Sequence, residues 1–157
     1  MLGFVNAFKS MSRFMVAYGL GATTVKEKGG DACDLFAMTG DFADPYVTSH
    51  EELLNSYAGS LKTVQLTLPI NFMNIIKFVC DVAQTELGTV SDATEINNYY
   101  VLTILMAGVI DDYEETLQML LRAANLPVTV NIVKIGSISH NENDSTKLFA
   151  SSKTVFE

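Results

Sequence analysis

The residues of this chain that could do chemistry are scattered, and the first candidates are two glycines. Gly19 and Gly21 follow an apolar run, as the glycines of a dinucleotide-binding loop do, but Thr24 stands where the third glycine of that loop belongs. The residues after Thr24 are typical of a turn and not of the helix whose N-terminus binds a phosphate. We interpret both glycines as turn residues. A nucleotide-binding enzyme that uses this loop remains an alternative that the motif supports only weakly.

An acidic run at residues 111–115 is the second candidate. Asp111, Asp112, Glu114 and Glu115 could supply oxygen ligands to a hard cation. They also stand at the start of a predicted helix, where carboxylates accept hydrogen bonds from free N–H groups and offset the helix dipole. Asp112 and Glu115 have the spacing of a capping box, so we predict that this run caps its own helix.

The histidines and cysteines do not suggest catalysis. His50 and His140 are the only histidines, and each lies in a polar stretch without partners for a triad. No Ser or Cys lies in the sequence context of a nucleophile elbow. Cys33 and Cys80 are far apart in the sequence and have no CxxC or His neighbour, which indicates reduced thiols. No secretory signal is visible. We therefore expect a cytoplasmic protein that is not an enzyme and needs no cofactor.

Composition and charge exclude several classes of protein. The chain has 157 residues, of which 48% are hydrophobic and 18% charged, so it can bury a core and is not disordered. The longest mostly apolar stretch, 99–110, is too short to cross a membrane. A net charge of -8 argues against nucleic-acid binding. The first 30 residues nevertheless carry an excess of basic residues, which could meet an acidic partner or filament: Lys9, Arg13, Lys26 and Lys28.

Helix and strand patterns alternate along the chain, which indicates an α/β fold. Capping residues such as Ser49, with Glu52 three residues later, mark a helix start. The strand at 99–106 is apolar on both faces, which predicts a buried strand inside a parallel sheet. The predicted helices are 3–10, 50–61, 71–87 and 112–125, and the predicted strands are 14–18, 32–38, 99–106 and 128–135, with a polar turn at 23–31.

Three of these helices have an apolar face at helical spacing, which we expect to be buried. The faces are Leu53, Leu54, Tyr57, Ala58 and Leu61 in the first, Phe72, Ile75, Ile76, Val79, Val82 and Ala83 in the second, and Leu117, Leu120, Leu121 and Ala124 in the third.

Several motifs, in order and at matching spacing over residues 3–138, resemble the von Willebrand factor A-type domain of copines. The copine stretch A-L-G-F-G-A is similar to Ala17-Tyr18-Gly19-Leu20-Gly21-Ala22, and the copine stretch G-P-T-N-F is similar to Leu68-Pro69-Ile70-Asn71-Phe72. The end of the copine motif T-D-G-V-I is similar to Ala107-Gly108-Val109-Ile110. The copine strand L-P-x-S-I-I-I-V-G-V-G is similar to Leu126-Pro127 and the strand that follows them.

The resemblance implies a metal-ion-dependent adhesion site, and this sequence departs from it. In the family a divalent cation is held by a D-x-S-x-S loop, by the threonine of G-P-T-N-F and by the aspartate of T-D-G. Here the last two positions are Ile70 and Ala107, which have no side-chain oxygen, and the first loop precedes the start of the sequence. We therefore expect no metal, although Asp111 and Asp112 could in principle substitute as ligands.

The resemblance also places the family's first strand in the middle of the sheet, between the strands matching 14–20 and 99–106. This sequence starts after that strand. The two neighbours could pair directly, the N-terminal segment could fill the gap, or a partner could donate a strand. We favour the first and third outcomes, because the pattern of the N-terminal segment is helical. The two calcium-dependent C2 domains of copines are not in this sequence, so we expect no direct membrane binding.

Together these observations predict an open, mostly parallel α/β sheet with flanking helices, similar to von Willebrand factor A and Rossmann-like folds and lacking the family's central first strand. The domain spans 1–138, and a polar tail at 139–157 could pack on it. The expected function is non-catalytic protein interaction, in a structural or adaptor component of an intracellular assembly for which the cytoskeleton is one candidate. A protein partner would donate a strand or cover the open sheet edge. The main alternative is a metal-dependent ligand-binding domain.

Overall fold

The computed structural model describes residues 15–24, 35–67, 70–89, 98–107 and 110–135. The chain divides into two compact units, Met1–Leu68 and Pro69–Glu157. The helix expected at 3–10 and the tail at 139–157 lie outside the described residues, so both stay predictions.

The first unit contains six short strands in three antiparallel pairs among its described residues. The pairs are β1 (Met15–Val16) with β5 (Tyr46–Val47), β2 (Tyr18–Leu20) with β4 (Leu35–Ala37), and β3 (Ala22–Thr24) with β6 (Val64–Leu66).

The two glycines of the first unit have different structural roles. Gly19 lies in β2 opposite Phe36, and a side chain at residue 19 would collide with the Phe36 ring. Gly21 has a φ of 69°, which favours glycine, and it separates β2 from β3. Strands β2 and β4 pair antiparallel, from Tyr18 opposite Ala37 to Leu20 opposite Leu35, and they overlap the strands predicted at 14–18 and 32–38. The turn predicted at 23–31 is wrong at its start, because Thr23 and Thr24 belong to β3.

Helix α1 (His50–Ser60) begins where the capping residues predicted. The Ser49 hydroxyl accepts a hydrogen bond from the Glu52 backbone N–H at 3.1 Å. Glu52 in turn accepts at 2.7 Å from both the backbone N–H and the hydroxyl of Thr48, one residue before the cap. The prediction of the helix is confirmed, but the prediction of its buried face is wrong, because Leu54, Tyr57 and Leu61 are exposed.

The second unit contains a parallel βαβ arrangement, with the strand, helix and strand in the order predicted within 99–135. Helix α2 (Met73–Thr89) is followed by β7 (Tyr100–Met106), helix α3 (Tyr113–Ala123) and β8 (Val128–Lys134). Strands β7 and β8 run parallel and in register over seven residue pairs, from Tyr100 opposite Val128 to Met106 opposite Lys134. No helix among the described residues is long and apolar enough to cross a lipid bilayer.

The core of the second unit lies between the helices and one face of the sheet. Helix α2 contributes most of its predicted apolar face, with Ile76 fully buried. Helix α3 is rotated from the prediction: Leu121 is 64% exposed, whereas Thr116 and Ala123 are buried. Among the described residues of this unit, the buried apolar ones are Phe72, Ile75, Ile76, Cys80, Ala83, Ile104, Met106, Ile110, Ala123 and Val128.

The other face of β7 and β8 is exposed, which corrects the expectation of a strand buried on both sides. Val101 is 46% and Leu105 is 41% exposed, whereas Ile104 and Met106 on the opposite face are buried. Side chains alternate between the two faces of a strand, and α2 and α3 pack on the face that carries Ile104.

The described residues form an α/β fold of three helices and four two-stranded sheets, of which three are antiparallel and one is parallel. The strands near 18 and 100, which we expected to pair directly or through a partner, each pair within their own unit.

Candidate functional site

The two positions that the sequence resemblance matches to metal ligands lie in two loops of the second unit, each just before a helix. Ile70 precedes α2, and Ala107 follows β7 in the loop that leads to α3. The loops are joined by a backbone hydrogen bond in which the Asp111 N–H donates to the Ile70 carbonyl at 3.3 Å. The two loops that the resemblance assigns to one site are therefore neighbours in the structure.

Two carboxylates hold these loops together more firmly than that backbone bond. The Asp111 carboxylate accepts from the Ile70 N–H at 3.0 Å. The two oxygens of Asp112 accept from the Phe72 N–H at 3.0 Å and the Met73 N–H at 2.7 Å. We call this set of three bonds the carboxylate clamp. It stabilises the start of α2, where the first N–H groups have no partner within the helix.

The clamp corrects the predicted role of Asp112. Asp112 is the N-cap residue of α3, but its side chain makes no hydrogen bond to that helix. Its backbone carbonyl accepts from the Thr116 N–H at 2.9 Å, while its carboxylate caps α2. The capping box with Glu115 is therefore wrong, and Glu114 and Glu115 are left as exposed acidic residues in the first turn of α3.

The residues at this site do not fit a divalent cation. The Ile70 and Ala107 side chains carry no oxygen, and the carboxylates of Asp111 and Asp112 already accept three backbone N–H bonds. Among the described residues, no group of three or more His, Cys, Asp or Glu side chains converges to hold a metal ion. Mg²⁺ requires near-octahedral oxygen coordination, for which this donor set is too small.

A second polar cluster, which the sequence reasoning missed, ties α2 to α3 on the surface. Asp81 binds the Lys77 ammonium at 2.6 Å and the Arg122 guanidinium at 2.7 Å. Arg122 also donates to the Gln84 side chain at 2.5 Å. The bonds from Lys77 and Arg122 hold the pKa of the Asp81 carboxyl below its ordinary value of 3.8. The four-residue spacing of Lys77 and Asp81 was the available sequence signal.

The two remaining catalytic candidates that the structure describes, Cys80 and His50, have no catalytic partner among the described residues. Cys80 is a free, fully buried thiol, and its burial raises its pKa, so it stays protonated at neutral pH. His50 is the first residue of α1, and its buried Nδ1 has no hydrogen-bond partner in the described structure. Cys33 and His140 lie outside the described residues.

The basic residues proposed as an interaction surface also lie outside the described residues, and they stay predictions: Lys9, Arg13, Lys26 and Lys28.

Comparison with known proteins identifies the family to which this chain is similar. The profile of the family described as Copine matches residues 2–153. Among curated proteins, the chain is similar to Protein BONZAI 2 and to Protein BONZAI 1 of Arabidopsis thaliana, each 28% identical over 141 residues. Each match covers 90% of this chain but 23% of the relative, so the chain spans about a quarter of the length of these relatives.

Proposed function

Because this chain belongs to the copine family, we propose that it is a non-catalytic protein-interaction module, acting as a structural or adaptor component of a larger intracellular assembly. Copine membership suggests a protein-interaction role. The proposal adds that the interactions of this module do not depend on a divalent cation.

The carboxylate clamp is the observation that carries this proposal. A cation held between the loops at 70 and 107 would connect them through oxygen ligands. Here Asp111 and Asp112 connect the same loops directly, through hydrogen bonds of 2.7–3.0 Å to backbone N–H groups. A hydrogen bond from an N–H group to a carboxylate is stronger than one between neutral groups. The loops are therefore supported without a cation, which favours recognition that is independent of metal.

We propose the open sheet of a von Willebrand factor A-type domain as the architecture of this module. The parallel pair of β7 and β8, with α3 between them in sequence and α2 packed beside α3, supports that assignment. Strand β7 has β8 as its one partner strand among the described residues. We propose that a protein partner donates a strand to this sheet or covers its open edge, since unpaired strand edges readily accept another strand.

The main alternative is a metal-dependent ligand-binding domain, in which Asp111 and Asp112 would leave the clamp to bind a cation. Each would have to give up bonds to backbone N–H groups, which would leave those groups unpaired at the start of α2. Saturable binding of Mg²⁺ or Mn²⁺ that depends on these aspartates would favour this alternative.

The second alternative, a nucleotide-binding enzyme, has less support. Gly21 is followed directly by β3 and not by a helix, so the residues next to the glycines offer no helix N-terminus for a phosphate. A nucleotide present at 100 times its dissociation constant would stabilise the fold by about 2.7 kcal/mol. A thermal-shift screen against nucleotides that gives a shift of this order would support the enzyme alternative.

The assembly proposal is tested by sizing the chain in cell extract. The tagged full chain is passed over a size-exclusion column in extract, once with excess Mg²⁺ and once with a chelator. We expect elution far above the 17.2 kDa of the chain in both buffers. Elution as a monomer would contradict the proposed assembly, and a large species that collapses only with chelator would contradict its independence from metal.

The proposed setting is the cytoplasm, with the cytoskeleton as the candidate assembly. Cys80, buried and unbridged, is compatible with a reducing compartment. Fractionation of cells into detergent-soluble and cytoskeletal fractions tests this setting. We expect the chain in the cytoskeletal fraction, and its exclusive recovery from a membrane or secreted fraction would contradict the proposal.

A further inference from the structure

We propose that helix α1 is a self-association surface, through which two copies of the chain pair as antiparallel helices about a two-fold axis. The proposal goes beyond the proposed function, because it uses a helix of the first unit and not the sheet edge of the second. It also assigns an occupant to a helix face that the sequence pattern predicts to be buried.

The exposed side of α1 carries an apolar stripe. We define the stripe as Leu54, Tyr57, Ala58 and Leu61, which fall on one side of the helix because they are three or four residues apart. Leu54, Tyr57 and Leu61 are 38%, 42% and 48% exposed, and Ala58 is exposed as well. The buried residue of α1, Ser60, lies outside the stripe. Single exposed apolar residues are ordinary, whereas neighbouring ones on one face mark an interaction site.

One residue of each charge borders the stripe, at opposite ends of the helix. Glu51 lies in the first turn of α1, and Lys62 directly follows the C-cap residue Leu61. The two are eleven residues apart, which is close to three turns of 3.6 residues, so both lie along the same edge of the stripe. Both residues are exposed, and neither has an ion-pair partner in the part of the chain that the structure describes.

This charge arrangement is complementary to a second copy of itself. A two-fold axis across the middle of α1 reverses the helix direction and keeps the charged edge on the same side, so Glu51 meets Lys62 of the partner subunit. The same rotation creates a second, equivalent ion pair, as an isologous interface requires. It also sets the N-terminus of each helix beside the C-terminus of the other, which the helix dipoles favour.

The apolar residues fit the register that these ion pairs define. The midpoint between residues 51 and 62 lies beside Tyr57, so the Tyr57 rings of the two copies meet near the axis. Leu54 then lies against Ala58 and Leu61 of the partner subunit. The small side chain of Ala58 lets the two helices approach closely. A parallel pair would instead bring Glu51 of both copies to the same end, where neither would have an opposite charge.

The size of the stripe predicts a dimer that dissociates on dilution. Helix α1 has 11 residues and is about 16 Å long, and it would contact the second helix along one side. Such a contact buries less than the roughly 800 Å² per partner of a standard interface. We therefore expect a reversible equilibrium between monomer and dimer.

Exchange of the two charges tests the proposal in the purified full chain. Sedimentation equilibrium from micromolar to millimolar concentration should show a reversible dimer. Glu51→Lys and Lys62→Glu should each raise its dissociation constant by about tenfold, because two ion pairs become like-charge pairs. The double variant Glu51→Lys, Lys62→Glu should restore the native value. Glu114→Lys is the control for net charge, since this exposed residue lies on α3, and it should leave the constant unchanged.

Two outcomes of this measurement would overturn the proposal. One is a native chain that stays monomeric over the whole range, which would leave the stripe to a different protein. The other is a double variant that dimerises no better than the single ones, because damage to the helix adds up whereas a lost ion pair is restored. No other protein is present in the sample, so neither outcome depends on the assembly expected in cell extract.

Chemical cross-linking locates the contact on α1. In a Cys33→Ser background, Tyr57→Cys should be joined between two chains by a short bis-maleimide, because residue 57 lies near the two-fold axis. The matched control is Gly59→Cys, two residues along the helix and off the stripe, where an added Cβ meets no neighbouring atom. It should give far less cross-linked dimer. Equal yields from the two variants, or no dimer from either, would contradict the assigned surface.

Discussion

Asp112 is the residue at which the starts of two helices meet. Its backbone carbonyl takes part in α3, and its carboxylate accepts from two N–H groups of the chain entering α2. Phe72, which donates one of these bonds, is almost fully buried, so its N–H group has little access to water as an alternative partner. One side chain therefore supports both the local fold and the loop arrangement that we interpret as independent of metal.

Replacement of Asp112 by alanine should lower the free energy of unfolding by about 2 kcal/mol, because two partly buried N–H groups lose a charged acceptor. Glu114→Ala, at an exposed acidic residue two positions away, is the matched control and should change it by less than about 0.5 kcal/mol. Urea unfolding measures both. Equal losses in the two variants would mean that the clamp contributes nothing to stability.

Thr116 is a residue at which we expect another side chain to be more stable than the native one. It is completely buried, and its hydroxyl has no hydrogen-bond partner in the described structure. Thr116→Val removes this unpaired hydroxyl and keeps the shape, so it should raise the free energy of unfolding by about 1 kcal/mol.

The matched variant for this prediction is Thr129→Val, because the Thr129 hydroxyl is hydrogen-bonded to Tyr99. It should give no stabilisation. A loss of stability in Thr116→Val would show that the buried hydroxyl has a partner after all.

At the scale of elements, α2 and α3 are held together by side-chain packing on their buried sides and by ion pairs at the surface. The cluster of Asp81, Lys77 and Arg122 lies on the exposed side of this helix pair. Surface ion pairs are screened by solvent, so its effect on stability is modest and is best detected through pH.

The stabilisation from Asp81 should be lost in acid. Its folded pKa lies below the ordinary value of 3.8, so the charged form is favoured by folding. The contribution is present in full well above pH 3.8 and disappears as the pH falls through the lower folded value. The difference in unfolding midpoint between the native chain and Asp81→Asn should therefore shrink below pH 3.8. A difference that stays constant as the pH falls well below 3.8 would contradict the assigned ion pairs.

The elements themselves could be predicted from the sequence, whereas their contacts could be predicted only in part. Periodicity gave α1, α2 and α3, because apolar spacing is a local property of the chain. It misjudged which sides of α1 and α3 are buried, since burial depends on the neighbours that each helix meets. The role of Asp112 could not be read from its surroundings, because its two donors, Phe72 and Met73, lie about 40 residues away in the sequence.

At the scale of the whole molecule, the chain belongs to the copine family. Ile70 and Ala107, at the two positions that the resemblance matches to metal ligands, have no side-chain oxygen. The resemblance identified those positions from sequence. It did not predict that Asp111 and Asp112 would join the two loops by hydrogen bonds. The central claim is that these bonds do the work of a bridging cation, so that the module binds partners without metal.

Calorimetric titration of the full chain with Mg²⁺ and with Mn²⁺ tests this claim most directly, with the double variant Asp111→Asn, Asp112→Asn as the matched control. The account predicts no saturable heat in either protein. Saturable heat in the native chain that is lost in the double variant would contradict it, because the two carboxylates would then be metal ligands and not the clamp.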